Sequence, residues 1–559
     1  MKRDLVQLSE NVYDVLVIGG GIYGTFIAWD AALRGLSVAL VEKGDFGHAT
    51  SSNTLMIIHG GLRYIQHGDI RRMRRLIRER TIFMQIAPHL VHPLPFLIPT
   101  YKRLMRGKAV LSLALLINDI FGFDRNRLAD SQKQLPRGRS ISREECLRLF
   151  PGVDENELTG GVIYYDCQMY NSDRLILSVA RSAAKAGADM ANYVKVTKLL
   201  REGTRVAGVA AQDVLTGEEL DIRAQVVVNA SGPWSEQVLG SLNSHHPNGR
   251  LPLSKAFNLL VNRQLVPEYA VGVYSKGRFK DQDAIISKGS RLLFITPWHK
   301  RSLIGTEHLP YDGDADNFKV TEEEIQNFLD EINDAYPTAG LKHQDVCAAY
   351  SGLLPMVATS DRTGDVQLVK HYRIHDYQKE EGIEGLVSVI GVKFTEARHV
   401  AEKTVNLIFR KLGRKPTKSA TATTPLYGGQ IERFDDFLAQ QIEQRFEELD
   451  VESIRHLIYR YGSEYPGVLK YLNKDTESTQ ATTDVPSIIK AEILHGIREE
   501  MAQKLADVVF RRTELGIAGN SEDRCLQTLA AIMSKEMDWD DVRTQRELEE
   551  VRTVFSMRT

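Results

Sequence analysis

The fold of this chain is decided by residues 13–43, which read YDVLVIGGGIYGTFIAWDAALRGLSVALVEK. An apolar run at residues 15–18 leads into the sequence GGGIYG at residues 19–24, and a stretch with helical periodicity follows. A second apolar run, at residues 37–41, ends at Glu42. This order of strand, glycine turn, helix, strand and acidic residue is typical of a βαβ unit that binds a dinucleotide.

Each glycine of the motif has a physical role in such a unit. Gly19 allows the tight turn, Gly21 lets the backbone approach a pyrophosphate at the helix N-terminus, and Gly24 lets helix and strand pack closely. The carboxylate of Glu42 is placed to accept hydrogen bonds from a ribose. The stretch therefore predicts a dinucleotide cofactor.

Length and composition exclude several classes of protein. With 559 residues the chain is long enough for two to four domains, and its 71 basic and 73 acidic residues give no reason to expect nucleic-acid binding. The four cysteines are scattered without a C-x-x-C pair, so neither a zinc site nor a disulfide framework is indicated, and we expect no bound metal and a reducing compartment. We expect no cleavable signal, because the first apolar run is the first strand itself, and no apolar stretch reaches the roughly 18 residues of a membrane-spanning helix.

One segment is strongly basic and is followed by a short apolar one. Residues 69–108 contain ten Lys and Arg against two acids, and residues 109–123 read AVLSLALLINDIFGF. Two interpretations stay open at this point. The pair is either a solvated helix face beside a buried core helix, or a surface that lies in the headgroup region of a membrane.

Three motifs near the N-terminus resemble the opening of the FAD-dependent glycerol-3-phosphate dehydrogenases. They are GGGIYG at residues 19–24, ATSS at residues 49–52 and IHGGLRYIQHG at residues 58–68. The likeness extends along nearly the whole chain. It implies FAD as cofactor, a small-molecule substrate, and quinone or another electron acceptor. It also favours the membrane interpretation, and so implies a cytoplasmic protein peripheral on the inner face of the membrane, with a homodimer as one candidate assembly.

Two later motifs resemble the other FAD contacts of that family. The run VVVNASGPWS at residues 226–235 leads a predicted strand into a second small-residue turn, and LVSVIGVKFTEAR at residues 386–398 resembles the last flavin motif. The resemblance implies these FAD-binding residues: Gly19, Gly21, Ile22, Gly24, Glu42, Lys43, Thr50, Ser51, Ser52, His59, Gly60, Val194, Ala230, Gly232, Trp234, Gly391, Lys393, Phe394 and Thr395. Lys393, at a predicted helix start, would stabilise the negative charge of the reduced ring, which gives it a catalytic role.

These patterns predict an α/β protein with a discontinuous Rossmann-type FAD-binding domain, an antiparallel-sheet substrate domain and an all-α C-terminal domain. Alternating segments at residues 253–310 predict the antiparallel sheet, and the polar residues 125–150 predict a loop. We expect residues 1–80, 160–250 and 345–410 to form the FAD-binding domain, 81–159 and 251–344 the substrate or cap domain with its membrane-proximal segment, 411–428 a linker and 429–559 the helical domain.

The substrate side departs from the motifs of the family. A family lysine is Met56 here, a substrate-facing arginine is Leu354, a histidine is Asn258, and Gly-Thr-Thr-Asp becomes GTEH at residues 305–308. A charge-assisted bidentate contact is worth about 1.5–3 kcal/mol, and leucine cannot replace it. A substrate other than glycerol 3-phosphate is therefore an open alternative.

The working mechanism is hydride transfer from a substrate carbinol carbon to flavin N5, with a base that takes the hydroxyl proton. His308, Glu307 and His59 are the candidate bases, and His308 suits the task best because an unperturbed histidine titrates near 6.5. The expected substrate-binding residues are Arg63, Lys255 and Tyr350. Three functions stay open: an enzyme that resembles glycerol-3-phosphate dehydrogenase and reduces quinone, the same flavoenzyme acting on a different polyol, hydroxy acid or amine, and a non-catalytic FAD-binding scaffold.

Overall fold

The computed structural model describes most of the chain. The described residues are 1–102, 106–240, 251–277, 291–357, 366–444, 449–472, 487–517 and 523–558, without the side chains of Arg63, Gln66, Ser487, Ile488, Met557 and Arg558.

The first sheet is built around the strand that precedes the glycine motif. Val12–Ile18 pairs in parallel with Val38–Val41 on one side and with Glu219–Asn229 on the other. The strand order is Arg373–Asp376, Leu386–Ile390, Glu219–Asn229, Val12–Ile18, Val38–Val41 and Asp189–Ala191, and the antiparallel hairpin Val194–Glu202 and Arg205–Asp213 extends from Glu219–Asn229. The central strands are almost wholly buried because the sheet is covered on both faces. The predicted Rossmann-type α/β unit is confirmed.

Three helices cover one face of this sheet and fix the glycine loop. Ile22–Leu33 packs between Ser172–Lys185 and Ala397–Lys411. The remaining helices before residue 412 are Leu5–Glu10, Ile70–Ile86, Lys108–Phe121, Arg143–Leu149, Ser235–Leu239, Glu322–Ala335 and Tyr377–Glu381, with short 3-10 turns at Leu62–His67, Ser131–Lys133, Gly232–Trp234, Pro337–Ala339, His343–Asp345 and Phe394–Glu396.

The second sheet is mostly antiparallel, as predicted. Its order is Gln367–Leu368, Val346–Val357, Leu253–Val261, Arg301–Tyr311, Leu292–Trp298, Ala270–Tyr274, Val91–Tyr101, Leu158–Met169 and Ile57–Ile58, with Arg139–Ile141 paired to Leu158–Met169. Val346–Val357 pairs with Leu253–Val261, so it belongs to this sheet, whereas the prediction had assigned residues 345–410 to the FAD-binding domain. Ile57–Ile58 and most of Leu158–Met169, which the predicted boundaries also place in the FAD-binding domain, belong to this sheet as well. The remaining domain boundaries stay predictions.

The loop predicted at residues 125–150 is corrected by the structure. This segment contains the strand Arg139–Ile141 and the helix Arg143–Leu149. The hydroxyl of Ser142 accepts a hydrogen bond from the backbone N–H of Glu145 at 3.1 Å and caps the helix. The S-x-x-E spacing of these two residues is a helix-start signal, but the polar composition of the segment led to the prediction of a loop.

The C-terminal part is helical in its described residues, as predicted. Its helices are Phe434–Glu443, Val451–Tyr461, Pro466–Leu469, Ser487–Glu500, Leu505–Asp507, Asp523–Met537 and Asp541–Arg558, with a π-helical turn at Val508–Arg512 and 3-10 turns at Gly462–Glu464 and Leu515–Ile517. Buried ion pairs join it to the rest of the chain, for example Arg174 with Glu500. Among all the described helices, none combines the length and the apolar character that crossing a bilayer requires.

One ion pair of this helical part predicts a measurable pH dependence. Burial lowers the pKa of His456, but the carboxylates of Glu492 and Glu514, at 3.1 and 3.6 Å, more than offset this and raise the pKa to about 10. Because this value exceeds the unfolded pKa of about 6.5, the stabilisation is complete below that pH and is lost as the pH rises toward the folded-state pKa.

We therefore expect His456→Gln to lower the free energy of unfolding most strongly in mildly acidic solution. The loss of unfolding free energy relative to the unsubstituted protein should become smaller as the pH rises, by at most about 1.4 kcal/mol per pH unit. Urea denaturation at about pH 6 and about pH 9 measures both differences. A difference that stays constant with pH would contradict the raised pKa.

Candidate functional site

A cleft of about 580 Å³ lies between the two sheets. From the first sheet it is lined by residues that follow the carboxyl ends of the parallel strands, and from the second sheet by one face of its central strands. This is the edge of a parallel sheet at which α/β proteins bind nucleotides. Its volume lies within the usual range for small-molecule sites.

The glycine loop forms the floor of the cleft. Gly19 has a φ of +107°, and a Cβ there would lie 2.7 Å from the carbonyl oxygen of Ala230. A Cβ on Gly24 would lie 1.8 Å from the carbonyl oxygen of Gly19. A Cβ on Gly21 would instead face the cleft and meet only the Ser51 side chain within 4 Å. The loop thus leaves its backbone open to a phosphate group at the helix N-terminus.

The carboxylate of Glu42 is held in position by backbone donors. One oxygen accepts the N–H of Gly20 at 2.6 Å, and the other accepts the N–H of Gly44 at 2.8 Å. Each carboxylate oxygen can accept a second hydrogen bond. Glu42 lines the cleft, so its remaining acceptor positions are available to a ribose hydroxyl.

Tyr23 joins the glycine helix to the last predicted flavin motif. Its hydroxyl donates to the carbonyl oxygen of Lys393 at 2.9 Å and accepts from the N–H of Lys393 at 3.3 Å. Burial raises the pKa of Tyr23, so the hydroxyl keeps its proton. A Cβ on Gly391 would lie 2.3 Å from this hydroxyl. Tyr23 was not predicted as a site residue, because its partner Lys393 lies 370 positions away and no local motif indicates the contact.

A cluster of side chains closes the cleft beside Glu42. The ammonium of Lys43 lies 3.9 Å from the centre of the Trp234 ring and forms an ion pair with Asp316. The indole N–H of Trp234 donates to the same carboxylate at 2.8 Å. The imidazole of His48 stacks on Trp234 with ring centres 6.3 Å apart. Asp316 and His48 were missed, and no motif marks Asp316, because it reaches this place from a loop of the second sheet.

Most of the predicted FAD-binding residues meet in this cleft. Those that line it are Gly19, Gly21, Ile22, Glu42, Lys43, Thr50, Ser51, His59, Val194, Ala230, Gly232, Trp234, Gly391, Lys393, Phe394 and Thr395. The other three, Gly24, Ser52 and Gly60, lie behind this lining. The hydroxyl of Ser52 donates to the carbonyl oxygen of Gly47 at 2.6 Å, and the N–H of Gly60 donates to Asp166 at 2.6 Å.

Strand alternation separates the predicted substrate-side residues into two groups. In Arg301–Tyr311, the side chains of Thr306 and His308 line the cleft. Glu307 lies between them in sequence and points to the opposite face, where it pairs with Arg291 at 2.8 Å. Because the structure turns Glu307 away from the cleft, it is a poor candidate for the base.

Two further predicted residues are not brought into the cleft. Lys255 donates to both carboxylate oxygens of Glu324, at 2.6 and 2.8 Å, on the far side of its strand. Tyr350 is buried against Trp298, with ring centres 5.7 Å apart. The backbone of Arg63 lies in Leu62–His67, and its side chain lies outside the described residues.

Of the residues that depart from the family motifs, some line the cleft and one is buried in the core. Leu354 and Asn258 line the cleft, and Asn258 accepts a hydrogen bond from the hydroxyl of Thr306 at 2.7 Å. Met56 is instead buried in the core, with 1% of its surface exposed. The side chain of Met56 therefore lies outside the cleft, whereas Leu354 and Asn258 are part of its lining.

Comparisons with known proteins match the chain along nearly its whole length. The family described as FAD dependent oxidoreductase matches residues 14–387, and the C-terminal domain of alpha-glycerophosphate oxidase matches residues 419–544. A glycerol-3-phosphate dehydrogenase of Synechocystis sp. is 33% identical over 523 residues, which are 93% of this chain and 91% of that protein. The mitochondrial glycerol-3-phosphate dehydrogenase of Homo sapiens is 31% identical over 98% of this chain and 74% of its own length.

A solved structure agrees with these matches. The glycerol-3-phosphate dehydrogenase from Bacillus halodurans, complexed with FAD, superposes with a TM-score of 0.78 at 28% identity. The alignment covers 99% of this chain and 96% of that one.

Proposed function

The chain belongs to the FAD-dependent oxidoreductases, in the family of the glycerol-3-phosphate dehydrogenases, and we propose that it oxidises glycerol 3-phosphate at a membrane surface and passes the electrons to a quinone. FAD is the cofactor of this family, and the cleft fits it: Gly21 leaves the helix N-terminus open to the pyrophosphate, and Glu42 offers acceptors to the ribose. The observation that carries the proposal is that 16 of the 19 residues implied for FAD line one cavity together with His308.

The proposed chemistry divides between the cofactor and the chain. Bound FAD supplies an acceptor for two electrons and the hydrogen that leave the substrate carbinol carbon as hydride. His308 takes the proton of the substrate hydroxyl, so that the C–O bond becomes a carbonyl. Asn258 and Thr306, on the same side of the cleft, offer hydrogen bonds that orient the hydroxyl groups of a polyol. Lys393 offers a positive charge beside the N-terminus of the helix Ala397–Lys411.

One observation favours the alternative of another substrate. Leu354 lines the cleft at the position where the family motif has an arginine, and none of the described residues that line the cleft is an arginine. The lysines of the lining are Lys43, Lys195 and Lys393, and the first two lie beside Glu42 and Val194, where the ribose is proposed to bind. A substrate phosphate would therefore depend on Lys393, on histidines or on Arg63. Without such a contact the same geometry suits a different polyol, a hydroxy acid or an amine.

Turnover with a short-chain quinone tests the substrate and the acceptor together. We expect glycerol 3-phosphate to be oxidised with a kcat/KM at least about tenfold above that of glycerol, because the phosphate adds a charge-assisted contact. Equal values for the two would contradict a phosphate site, and a faster hydroxy acid or amine would establish the alternative. Reduction of the bound flavin by any of these compounds excludes a non-catalytic FAD-binding scaffold. The homodimer stays a prediction.

The proposed membrane contact is the outer face of the helix Lys108–Phe121. Leu113, Leu116 and Ile120 are 57%, 56% and 59% exposed, and Phe123 beyond the helix is 71% exposed. Leu115 and Asn118 form the buried side. This exposed face is the apolar part of the segment predicted from the sequence, and residues 103–105 beside it lie outside the described residues.

Two arginines lie beside the Phe123 end of this apolar face, and one of them, Arg74, is paired with Asp124. The guanidinium groups of Arg74 and Arg127 lie 5.1 and 5.7 Å from the centre of the Phe123 ring. An apolar helix face with a basic rim is the arrangement that binds the headgroup region of an anionic leaflet. We infer a peripheral position on the cytoplasmic side of the membrane, where such lipids and the quinone pool meet the protein.

The double variant Leu116→Glu with Ile120→Glu is expected to lose vesicle binding. Burial of each of these side chains contributes about 1.5–3 kcal/mol, so the partition coefficient should fall by more than about tenfold. Sedimentation with vesicles of anionic phospholipid measures it. Val542→Glu, which changes a 79% exposed valine of the helical domain, is the matched control. Equal binding by both variants would contradict the assignment of this face.

A further inference from the structure

Two loops beside Glu42 are fastened to the same part of the helical domain. The first comprises residues 43–48 and the second residues 191–194, and together they are called the AMP-end loops because they flank the predicted ribose acceptor. The part of the helical domain that contacts them is residues 501–512, called the supporting segment. Lys43, His48 and Val194 of the loops line the cleft, whereas the supporting segment does not.

Asp45 is the point at which the first loop meets the supporting segment. Its carboxylate is fully buried and accepts from Arg511 Nε at 2.5 Å and from Arg512 at 2.8 Å, with a second, shorter hydrogen bond from Arg512. Burial disfavours ionisation of Asp45, but the guanidinium groups of Arg512 and Arg511 more than offset it and lower its pKa. The loop is therefore held by a carboxylate with two cations.

Hydrogen bonds connect Asp45 and its neighbours in the first loop to His48, Glu42 and the glycine loop, which line the cleft. The backbone oxygen of Asp45 accepts from the N–H of His48 at 3.1 Å and from its imidazole at 2.9 Å. The N–H of Gly44 donates to the carboxylate of Glu42 at 2.8 Å. The N–H of Gly47 donates to the carbonyl oxygen of Gly20, inside the glycine loop, at 3.0 Å. Movement of Asp45 would thus move both Glu42 and the glycine loop.

The second loop is held by the same segment. The amide of Asn192 donates to the carbonyl oxygen of Met501 at 2.8 Å and to Asp45 at 3.1 Å. The hydroxyl of Tyr193 donates to Asp507 at 2.6 Å. Asp507 also accepts from Arg511, so the two loops share one buried network. Tyr193 directly precedes Val194, which lines the cleft.

We propose that the supporting segment holds the AMP-end loops in the shape that binds FAD, so that the helical domain determines the affinity for the cofactor. Asp45 and Tyr193 are positioning residues in this account, since they act through Glu42, His48 and Val194. Outer groups that orient binding groups in this way commonly change affinity by tenfold or more when they are replaced. The proposal requires FAD but is independent of the substrate.

The test compares three full-length variants. Asp45→Asn keeps the shape of the side chain and removes its charge, and Tyr193→Phe removes one hydrogen bond. Glu492→Gln is the matched control, because Glu492 is an equally buried carboxylate whose partners His456, Arg460 and Tyr461 lie within the helical domain. The dissociation constant of FAD is measured by flavin fluorescence after removal and return of the cofactor, with circular dichroism as the check of folding.

We expect Asp45→Asn to raise the dissociation constant of FAD by about tenfold or more and Tyr193→Phe to raise it by about threefold, with the control within about twofold of the unsubstituted protein. Folded Asp45→Asn with unchanged affinity would overturn the proposal, and so would an equal rise in Glu492→Gln. If Asp45→Asn does not fold, Tyr193→Phe decides, and an unchanged dissociation constant there overturns the proposal.

Competition by ADP provides a second readout, which shows at which end of the cofactor the affinity is lost. The AMP-end loops face only the adenosine part of FAD in this account, so the concentration of ADP that competes with FAD for the apoprotein should rise by the same factor in Asp45→Asn. A loss of FAD affinity with unchanged affinity for ADP would assign the effect to the flavin end and overturn the proposal.

Discussion

Gly24→Ala is expected to give a colourless protein, with a dissociation constant for FAD at least about 100-fold above that of the unsubstituted chain. The added methyl group would lie 1.8 Å from the carbonyl oxygen of Gly19. The methyl group is fixed rigidly to the helix backbone and its neighbour is a backbone oxygen, so the helix itself must move away from the strand. Such a movement displaces the helix N-terminus at Gly21, where the pyrophosphate is proposed to bind. The ratio of flavin to protein absorbance after purification, followed by FAD titration, measures the effect.

A second glycine provides the control for this prediction. Gly240 has a φ of −55°, and a Cβ there would meet no atom within 4 Å. Gly240→Ala should therefore keep its FAD. If folded Gly24→Ala binds FAD within about threefold of the unsubstituted protein, the glycine loop is not the cofactor site.

His308→Asn is expected to slow flavin reduction by the substrate at least about 100-fold while the FAD content stays unchanged. A positioned general base contributes about 10²–10⁴-fold to such a step, and asparagine cannot take the proton. His308 lines the cleft on the same strand face as Thr306. Single-turnover reduction, followed in the flavin absorbance under anaerobic conditions, measures the rate without the electron acceptor.

Two companion variants separate His308 from the other candidate bases. Glu307→Gln should change the rate less than about tenfold, because Glu307 faces Arg291 on the other side of the strand. His59 lines the cleft, so His59→Asn tests the remaining alternative. A rate for His308→Asn within about fivefold of the unsubstituted enzyme, with a large loss in His59→Asn, would transfer the role to His59.

The cofactor side of the cleft could be predicted because its signals are local. The apolar runs, the glycine spacing and Glu42 lie within one βαβ unit, where the turn and the helix N-terminus dictate the residue types. The role of Gly24 in packing follows from the same spacing, and the structure brings Gly24 against Gly19. Segments with such short-range constraints are the ones for which sequence patterns are informative.

The substrate side could not be predicted because alternation alone does not say which face of a strand meets the cleft. Lys255 and Glu307 were expected at the substrate, yet each lies next to a residue that does line the cleft, Ala256 or His308. The orientation is set by the helix Glu322–Ala335, whose Glu324 pairs with Lys255. That packing joins residues far apart in sequence.

The contacts between the helical domain and the AMP-end loops could not be predicted from the sequence either. Asp45 and Arg512 are separated by 467 positions, and no motif includes either of them. Buried ion pairs of this kind depend on the assembled tertiary structure, so a single sequence contains no local sign of them.

We propose that this cleft binds FAD and presents glycerol 3-phosphate to it. An anaerobic absorbance titration of the purified holoprotein with glycerol 3-phosphate is the decisive test of both statements. We predict that the long-wavelength flavin band bleaches on addition of the substrate, with glycerol having little effect at the same concentration. A band that stays oxidised with glycerol 3-phosphate, and bleaches with a hydroxy acid, another polyol or an amine, would contradict the proposed substrate.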